Sequence, residues 1–284
     1  MLETNKIYCG DCLELLPNID SETVDLILCD LPYGETGNSW DSIIPLHKLA
    51  KEYERILKPT GAIALTCSLR FGVSLINAMP HLYKYDIIWA KDNGTNIPNV
   101  NLQPMRVHEF ILIFGKGRVT NGTRQPMKYF PQKTNGVPYS QKSGRISENW
   151  KGGLSNIITD NIGDRHPTTI QYFCRDKDKI HPTQKPLGLF EWIIKSYTEE
   201  NDLVVDNCVG SGTTALACKK LNRNFIGMDI NKDYCDMTEK RLKENTFIAS
   251  FFREERANAA CFPKDKTTGL LDAYFKGEET NGTK

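Results

Sequence analysis

An apolar hexapeptide near the amino terminus, residues 24–29 (Val-Asp-Leu-Ile-Leu-Cys), limits most strongly how this chain can fold. It is short and largely apolar and is followed by turn residues, which is typical of a buried strand in a parallel sheet. Pro32 comes shortly after it, and proline cannot continue a central strand because it has no backbone N–H. The chain must therefore leave the sheet just after Asp30.

The tetrapeptide Asp30-Leu31-Pro32-Tyr33 then places a carboxylate, free backbone carbonyls and an aromatic ring at the carboxyl end of a strand. In open α/β sheets that edge is where ligands bind. A carboxylate and a carbonyl both accept hydrogen bonds, and a ring offers a stacking face. The predicted ligand is therefore a flat molecule with an exocyclic amino group. An ordinary strand-to-turn transition explains so short a pattern equally well.

The rest of the chain alternates apolar runs with amphipathic segments, which predicts an α/β protein with a parallel sheet. Strands are expected at the start of the chain, at 62–67, 85–89, 110–114, 203–205 and 225–228, and helices at 46–57, 71–79, 186–197, 212–221 and 232–244. Residues 1–114 and 186–250 are interpreted as one catalytic domain in two segments. The polar tail, 264–284, is predicted to be disordered.

The segment between them, 115–185, is irregular and basic, although the whole chain has a net charge of only +1. Between Lys116 and Lys185 there are 13 Lys and Arg against 5 Asp and Glu, with aromatic residues interspersed. Such a stretch is typical of a surface that binds a polyanion, and a solvated basic loop is the alternative. The candidate DNA contacts are Arg106, His108, Arg124, Lys128, Lys133, Lys142, Arg145, Lys151 and Arg165.

A second constellation follows the strand at 203–205, where Asp206-Asn207-Cys208-Val209-Gly210-Ser211-Gly212-Thr213-Thr214 reads as a tight turn before a helix. Glycines allow a sharp turn and close approach by a ligand. Asp229 ends the next strand, at the spacing where an acidic residue can hold the hydroxyls of a ribose. A nucleoside cofactor is therefore expected. The same glycine pattern also fits a dinucleotide-binding turn, so an NAD-dependent enzyme remains an alternative.

Taken together, these features resemble the amino-group DNA methyltransferases of the permuted β group. In that family a catalytic Asp-Pro-Pro-Tyr motif precedes the target-recognition region and the cofactor loop comes last, as here. The resemblance covers roughly residues 6–244 and also includes the segments listed here: Gly10-Asp11, Leu57-Lys58-Pro59-x-Gly61, Arg106-x-His108-Glu109 and His181-Pro182-Thr183-Gln184-Lys185-Pro186. Leu31 and Cys208 depart from the residues usual in the family, and Cys208 puts the packing of the cofactor in doubt.

The resemblance implies a circularly permuted Rossmann-like fold that uses S-adenosyl-L-methionine. No metal is expected, because Cys9-x-x-Cys12 has no second cysteine pair to complete a zinc site. Asp11 would contact the cofactor's adenine, Asp229 its ribose, and Asp206, Gly210 and Gly212 its methionine part, with Thr183 and Lys185 nearby. Cys208, Ser211, Thr213 and Thr214 belong to the same loop. Two alternatives remain: Asp11 as a helix cap, and Arg106, His108 and Glu109 as a structural charge cluster.

The reaction implied is transfer of a methyl group to N6 of an adenine flipped out of double-stranded DNA. Aspartate at the first motif position is more typical of adenine enzymes than of cytosine-N4 enzymes, which are the alternative. A non-catalytic DNA-binding relative is a more distant one. A homodimer and a cognate restriction endonuclease are candidate partners. The sequence lacks an apolar signal core at its start and any long apolar run, so a cytoplasmic protein without membrane contact is expected.

Overall fold

The computed structural model describes residues 2–35, 41–142, 158–176 and 184–244. The helices are α1 (Cys12–Leu15), α2 (Leu46–Ile56), α3 (Leu69–Ala78), α4 (Leu187–Tyr197), α5 (Thr213–Lys220) and α6 (Lys232–Lys243). The strands are β1 (Lys6–Cys9), β2 (Val24–Cys29), β3 (Leu57–Cys67), β4 (Tyr83–Thr95), β5 (Arg106–Gly115), β6 (Thr134–Asn135), β7 (Tyr139–Lys142), β8 (Ile158–Asn161), β9 (Asp164–Arg165), β10 (Ile170–Tyr172), β11 (Leu203–Asp206) and β12 (Asn224–Asp229).

Eight of these strands form one sheet in the order β1-β12-β11-β2-β3-β5-β4-β10. All neighbours pair in parallel except β5, which is antiparallel to both β3 and β4. The expectation of a parallel sheet is therefore wrong at β5. The reason is the connection: only residues 96–105, with a single 3-10 turn at Ile97–Asn99, join β4 to β5, and a parallel crossover needs a longer connection, usually through a helix.

Apolar cores cover both faces of this sheet, as the uniformly buried β2 predicts. On one face, Leu49, Tyr53 and Ile56 of α2 pack with α3 and with alternate residues of β2 and β3. On the other face, α4 and α5 pack against the remaining residues of the same strands, through side chains that include Phe190 and Ala215. Leu49, Tyr53 and Ile56 are spaced by four and three residues, so they form one stripe along α2 that faces the sheet.

The crevice between β11 and β2 follows from this arrangement. The chain leaves β11 through α5 toward β12, on one side, and leaves β2 through α2 toward β3, on the other. The connections therefore diverge from two adjacent strands, and such a switch point opens a crevice beyond their carboxyl ends. Asp206 ends β11, and Asp30 follows β2, so both predicted motifs lie at this opening.

The basic segment 115–185 adds two short ribbons, β6 with β9 and β7 with β8, and the edge strand β10, which pairs with β4. Its boundaries as a separate target-recognition region stay a prediction, since β10 belongs to the main sheet. None of the helices in the described part of the chain has the length and apolar character needed to cross a bilayer. The predicted tail, 264–284, lies outside the described residues.

Candidate active site

A cavity of about 610 Å³ opens at the carboxyl ends of β2 and β11. Its volume falls within the range of about 300–1,000 Å³ that is usual for small-molecule sites. Residues from both predicted motifs line it together: Asp11, Asp30, Leu31, Pro32, Tyr33, Lys185, Asp206, Cys208, Gly210, Ser211, Thr213, Thr214 and Asp229. Thr183 lies outside the described residues. The fold thus joins the Asp30 tetrapeptide and the glycine turn, 176 residues apart in sequence from Asp30 to Asp206, in one cavity.

The Asp30 carboxylate is held by donors on both oxygens. Tyr33 donates its hydroxyl to Oδ1 at 2.8 Å, and the buried hydroxyl of Thr66, near the end of β3, donates to the same oxygen. The Lys185 ammonium lies 2.8 Å from Oδ2. The carboxylate is therefore fixed in one orientation at the rim of the sheet, with a quarter of the side chain exposed.

Lys185 also belongs to a buried chain of alternating charges. Its ammonium lies 3.2 Å from Oε2 of Glu109, whose Oε1 accepts a hydrogen bond from Lys91. Burial disfavours the charged form of Lys185, but the carboxylates of Asp30 and Glu109 outweigh it and raise its pKa to about 12. Burial likewise opposes ionisation of Glu109, yet the two lysines keep its pKa below the usual range. Lys185 and Glu109 therefore stay charged beside each other, whereas burial lowers the pKa of Lys91.

Tyr33 packs its ring on Phe71, with the ring centroids 5.2 Å apart. The Lys185 ammonium lies over the same ring, 5.6 Å from its centroid. Burial and the nearby Asp30 and Glu109 carboxylates raise the pKa of the Tyr33 hydroxyl, which therefore stays a hydrogen-bond donor. The side chain of Leu31, 3% exposed, packs in the core, so the departure from the usual proline leaves the chemical groups of the tetrapeptide in place.

The glycine turn has the backbone geometry that its sequence predicts. Gly210 and Gly212 have positive φ angles of 48° and 76°. A Cβ on Gly210 would meet open space, whereas one on Gly212 would lie 2.5 Å from Cγ2 of Thr238. Gly210 therefore leaves room on the ligand side of the turn. Gly212 does not line the cavity, and it allows the turn to pack on α6.

Asp229 lies directly beneath this turn. Its Oδ2 accepts the Gly210 N–H at 2.9 Å, and its Oδ1 accepts the Asn231 N–H at 2.9 Å. Each carboxylate oxygen can accept a further bond, and Asp229 lines the cavity. The residue predicted to hold a ribose is thus oriented by two backbone donors.

Asp206 is more deeply buried, with 5% of its surface exposed. Thr214 donates to its Oδ2 at 2.5 Å and the Cys208 N–H to its Oδ1 at 3.0 Å. Burial nonetheless dominates and raises the pKa of Asp206 to about 6. A cationic ligand group beside this carboxylate would favour its charged form.

Asp11 caps a helix and also lines the cavity, while its contact with the adenine of the donor stays a prediction. Its Oδ1 accepts the Leu13 N–H at 2.8 Å, which makes it the N-cap of α1, and it also lines the cavity. Cys208 lies at the cavity wall as a free thiol.

The candidate DNA contacts are not gathered on one surface. Arg106 and His108 begin β5 on the cavity side, where Arg106 is exposed and the His108 ring contacts Phe110. Lys128 lies at the opposite edge of the sheet, where it is held by Asp25 at 3.3 Å and Asp202 at 2.8 Å. Because β5 runs antiparallel, it delivers the start of the basic segment to that edge.

The other basic candidates that the structure describes lie on the two ribbons or in the loop before them. Lys133 pairs with Asp164, and the Arg165 guanidinium lies over the Tyr139 ring, 4.8 Å from its centroid. Arg124 and Lys142 are exposed. Arg145, Lys151 and His181 lie outside the described residues.

The sequence did not identify Thr66 and Lys91, and it identified Glu109 only as part of a family segment or of a structural charge cluster. Thr66 is a polar residue near the end of an apolar strand, and Lys91 lies near the end of β4. Such positions at the carboxyl edge are the signal that would have found them.

The donor predicted from the resemblance fits this cavity. The open space at Gly210, the oriented Asp229 carboxylate and the buried Asp206 carboxylate together suit a nucleoside with a charged amino-acid end. Asp11 lies in the wall of the same cavity.

Comparisons with known proteins agree with this geometry. The chain matches the N6/N4 DNA methylase family over residues 24–240. It is 30% identical over 258 residues to the type II methyltransferase M.BglII of Bacillus subtilis, covering 82% of this chain and 67% of the relative. It is 27% identical over 250 residues to the type II methyltransferase M.HpaI of Haemophilus parainfluenzae, covering 84% and 74%.

Solved structures show the same fold. The M1.HpyAVI complex with S-adenosylmethionine aligns with a TM-score of 0.55 at 26% identity, over 83% of this chain and 98% of that one. The cytosine-N4-specific PvuII DNA methyltransferase aligns with a TM-score of 0.60 at 19% identity, over 84% and 86%, which is a likeness of fold alone. Motif order, cavity and family match lead to one conclusion: this chain belongs to the N6/N4 amino-group DNA methylases, and S-adenosyl-L-methionine is its methyl donor.

Proposed function

We propose that this DNA methylase acts on N6 of an adenine flipped out of double-stranded DNA. The observation that carries the proposal is the Asp30 carboxylate, which is fixed by Tyr33, Thr66 and Lys185 at the rim of the cavity. The choice of adenine rests on the family preference for aspartate at this position. Cytosine N4 presents the same kind of amino group and is the alternative that product analysis must separate.

The amino nitrogen of adenine is a poor nucleophile because its lone pair is delocalised into the ring. Asp30 Oδ2 and a main-chain carbonyl at Leu31 or Pro32 can accept its two hydrogens in a geometry that favours a tetrahedral nitrogen. Tyr33 would stack on the base, a contact worth about 1–3 kcal/mol. The target must leave the duplex, because the nitrogen cannot otherwise reach these groups.

The donor-binding side uses the second motif. Asp229 would hold the ribose, Asp11 the adenine, and Asp206 with the turn at Gly210 the methionine end. When bound, S-adenosyl-L-methionine supplies a methyl group on a sulfonium for direct displacement by the amino nitrogen. The chain's main contribution is to align the two reactants. The proton can leave after transfer, so no strong base is required of His108.

Double-stranded DNA would approach the cavity edge, where Arg106 is exposed. The type II designation of the relatives supports a cognate restriction endonuclease as a partner, and a cytoplasmic location of the protein stays part of the proposal. The homodimer stays a prediction.

The test is to incubate the protein with labelled donor and duplex DNA, hydrolyse the DNA and identify the modified base. We expect N6-methyladenine, and N4-methylcytosine would contradict the adenine proposal. Asp30→Ala should keep donor binding and lose transfer, while the exposed Asp20→Ala serves as the matched control. Full activity of Asp30→Ala would remove the proposed site.

A further inference from the structure

The groups that the proposed function assigns to the target base are already contacted by Lys185. Its ammonium lies 2.8 Å from Asp30 Oδ2 and 5.6 Å from the centroid of the Tyr33 ring. Oδ1 of Asp30 is taken by two hydroxyl donors, so Oδ2 is the oxygen open to an incoming amino group. A base seated there would compete with the lysine.

Glu109 offers the lysine a second position. Its Oε2 lies 3.2 Å from the Lys185 ammonium, but it is buried and receives no hydrogen bond of good geometry from the described residues. Its other oxygen is held by Lys91, which fixes the carboxylate. Buried carboxylate oxygens normally accept a hydrogen bond, so Oε2 can accept one from the Lys185 ammonium once the ammonium turns from Asp30 toward it.

We propose that Lys185 is a placeholder for the target amino group, bound to Asp30 before the base enters and transferred to Glu109 Oε2 when the base donates to Asp30. This inference rests on the proposed function and adds to it a positioning role for Lys185 and Glu109. The movement needs only a short shift of the ammonium, from one carboxylate to another. The charge stays paired throughout, so the exchange avoids leaving a buried ammonium without a partner. No bond is made or broken in it.

The experiment uses a duplex that contains the recognition site, mapped first by methylation-aware sequencing, with 2-aminopurine in place of the base stacked on the target adenine. The target keeps its N6 amino group, which the proposal requires. Fluorescence of 2-aminopurine rises when its stacked neighbour leaves the helix, so it reports flipping separately from methyl transfer. We expect Lys185→Met to flip at least as much as the unaltered protein, because the competitor is gone. Glu109→Gln should flip at least fivefold less and raise KM for DNA, because the lysine then stays on Asp30.

The double variant is decisive. If Lys185 is a placeholder, Lys185→Met should rescue Glu109→Gln and return flipping to the level of Lys185→Met alone. A fixed structural salt bridge predicts the reverse, a double variant at least as impaired as Glu109→Gln. Two single-variant results would also overturn the proposal. One is flipping by Lys185→Met at less than half the normal level, and this result does not depend on whether Glu109→Gln folds. The other is unchanged flipping by Glu109→Gln.

Glu191→Gln is the matched control. Glu191 pairs with Lys220 at 2.6 Å, and both side chains are 11% exposed, away from the cavity. Its neutralisation should leave flipping unchanged. Donor affinity is measured by calorimetry on every variant, and flipping is then compared at saturating donor. If the unaltered protein neither flips the base nor methylates DNA, the proposed function itself fails. If the unaltered protein does both and only the variants depart from these expectations, the placeholder role alone fails.

Discussion

Replacing Thr66 by valine tests how the catalytic carboxylate is held. The Thr66 hydroxyl is fully buried and donates to Asp30 Oδ1, and valine has nearly the same shape without that donor. A hydrogen bond to a charged group contributes about 1.5–3 kcal/mol. The Tyr33 hydroxyl, also on Oδ1, compensates for part of this. We therefore expect a loss of about 1–2 kcal/mol in transition-state stabilisation, or about 5- to 30-fold in kcat.

The assay measures transfer of labelled methyl groups to a duplex at saturating donor and DNA, with donor affinity measured separately by calorimetry. Donor affinity should not change, because Thr66 does not line the cavity. Thr66→Ser keeps the hydroxyl and loses only a methyl group, so its kcat should stay within about threefold of normal.

Two results would refute the reasoning. One is a kcat for Thr66→Val within twofold of the unaltered protein, which would mean that the hydroxyl does not position Asp30. The other is an equal loss in Thr66→Ser, which would assign the effect to packing. Thermal unfolding of both variants separates either result from loss of the folded state.

Four further predictions concern the donor side of the cavity, the glycine turn and the basic segment. Burial raises the pKa of Asp206 to about 6, so its carboxylate is charged above that pH and neutral below it. Donor affinity should therefore fall about tenfold between pH 7.5 and pH 5. A donor affinity that does not change over this pH range would contradict the role of Asp206 beside a cation. Gly212→Ala should destabilise the fold by more than about 2 kcal/mol, because its Cβ would collide with Thr238 at a positive φ. Gly210→Ala, with open space around its Cβ, should instead weaken donor binding at a smaller cost in unfolding free energy. Lys128→Met should lower the free energy of unfolding and leave DNA affinity unchanged, as measured by denaturation and by fluorescence anisotropy.

Much of the fold and the donor site could be predicted from local sequence. In each motif a buried strand is followed directly by the residues that end it and that carry the polar groups at its carboxyl end. These residues are Asp30 to Tyr33 in one motif and Asp206 to Thr214 in the other. These features depend on neighbouring residues alone, because proline and glycine restrict or free the backbone wherever they occur. Local periodicity likewise predicted helices α2 to α6 to within a few residues at each end.

The direction of β5 could not be predicted in the same way. An alternating or apolar run has the same pattern in either direction, and only the pairing with β3 and β4 makes β5 antiparallel. That direction decides which edge of the sheet each neighbouring residue reaches. Glu109, at the start of β5, comes to the cavity, and Lys128, beyond its end, is carried to the far edge.

The sequence by itself determined the two motifs, their order and the chemistry each can support. Only the tertiary structure decided that Thr66, Lys91 and Glu109 converge on Asp30 and Lys185, since these residues come from separate strands and from the loop before α4. The physical reason is that motif chemistry is encoded in contiguous residues, whereas the electrostatic surroundings of a carboxylate depend on long-range strand pairing.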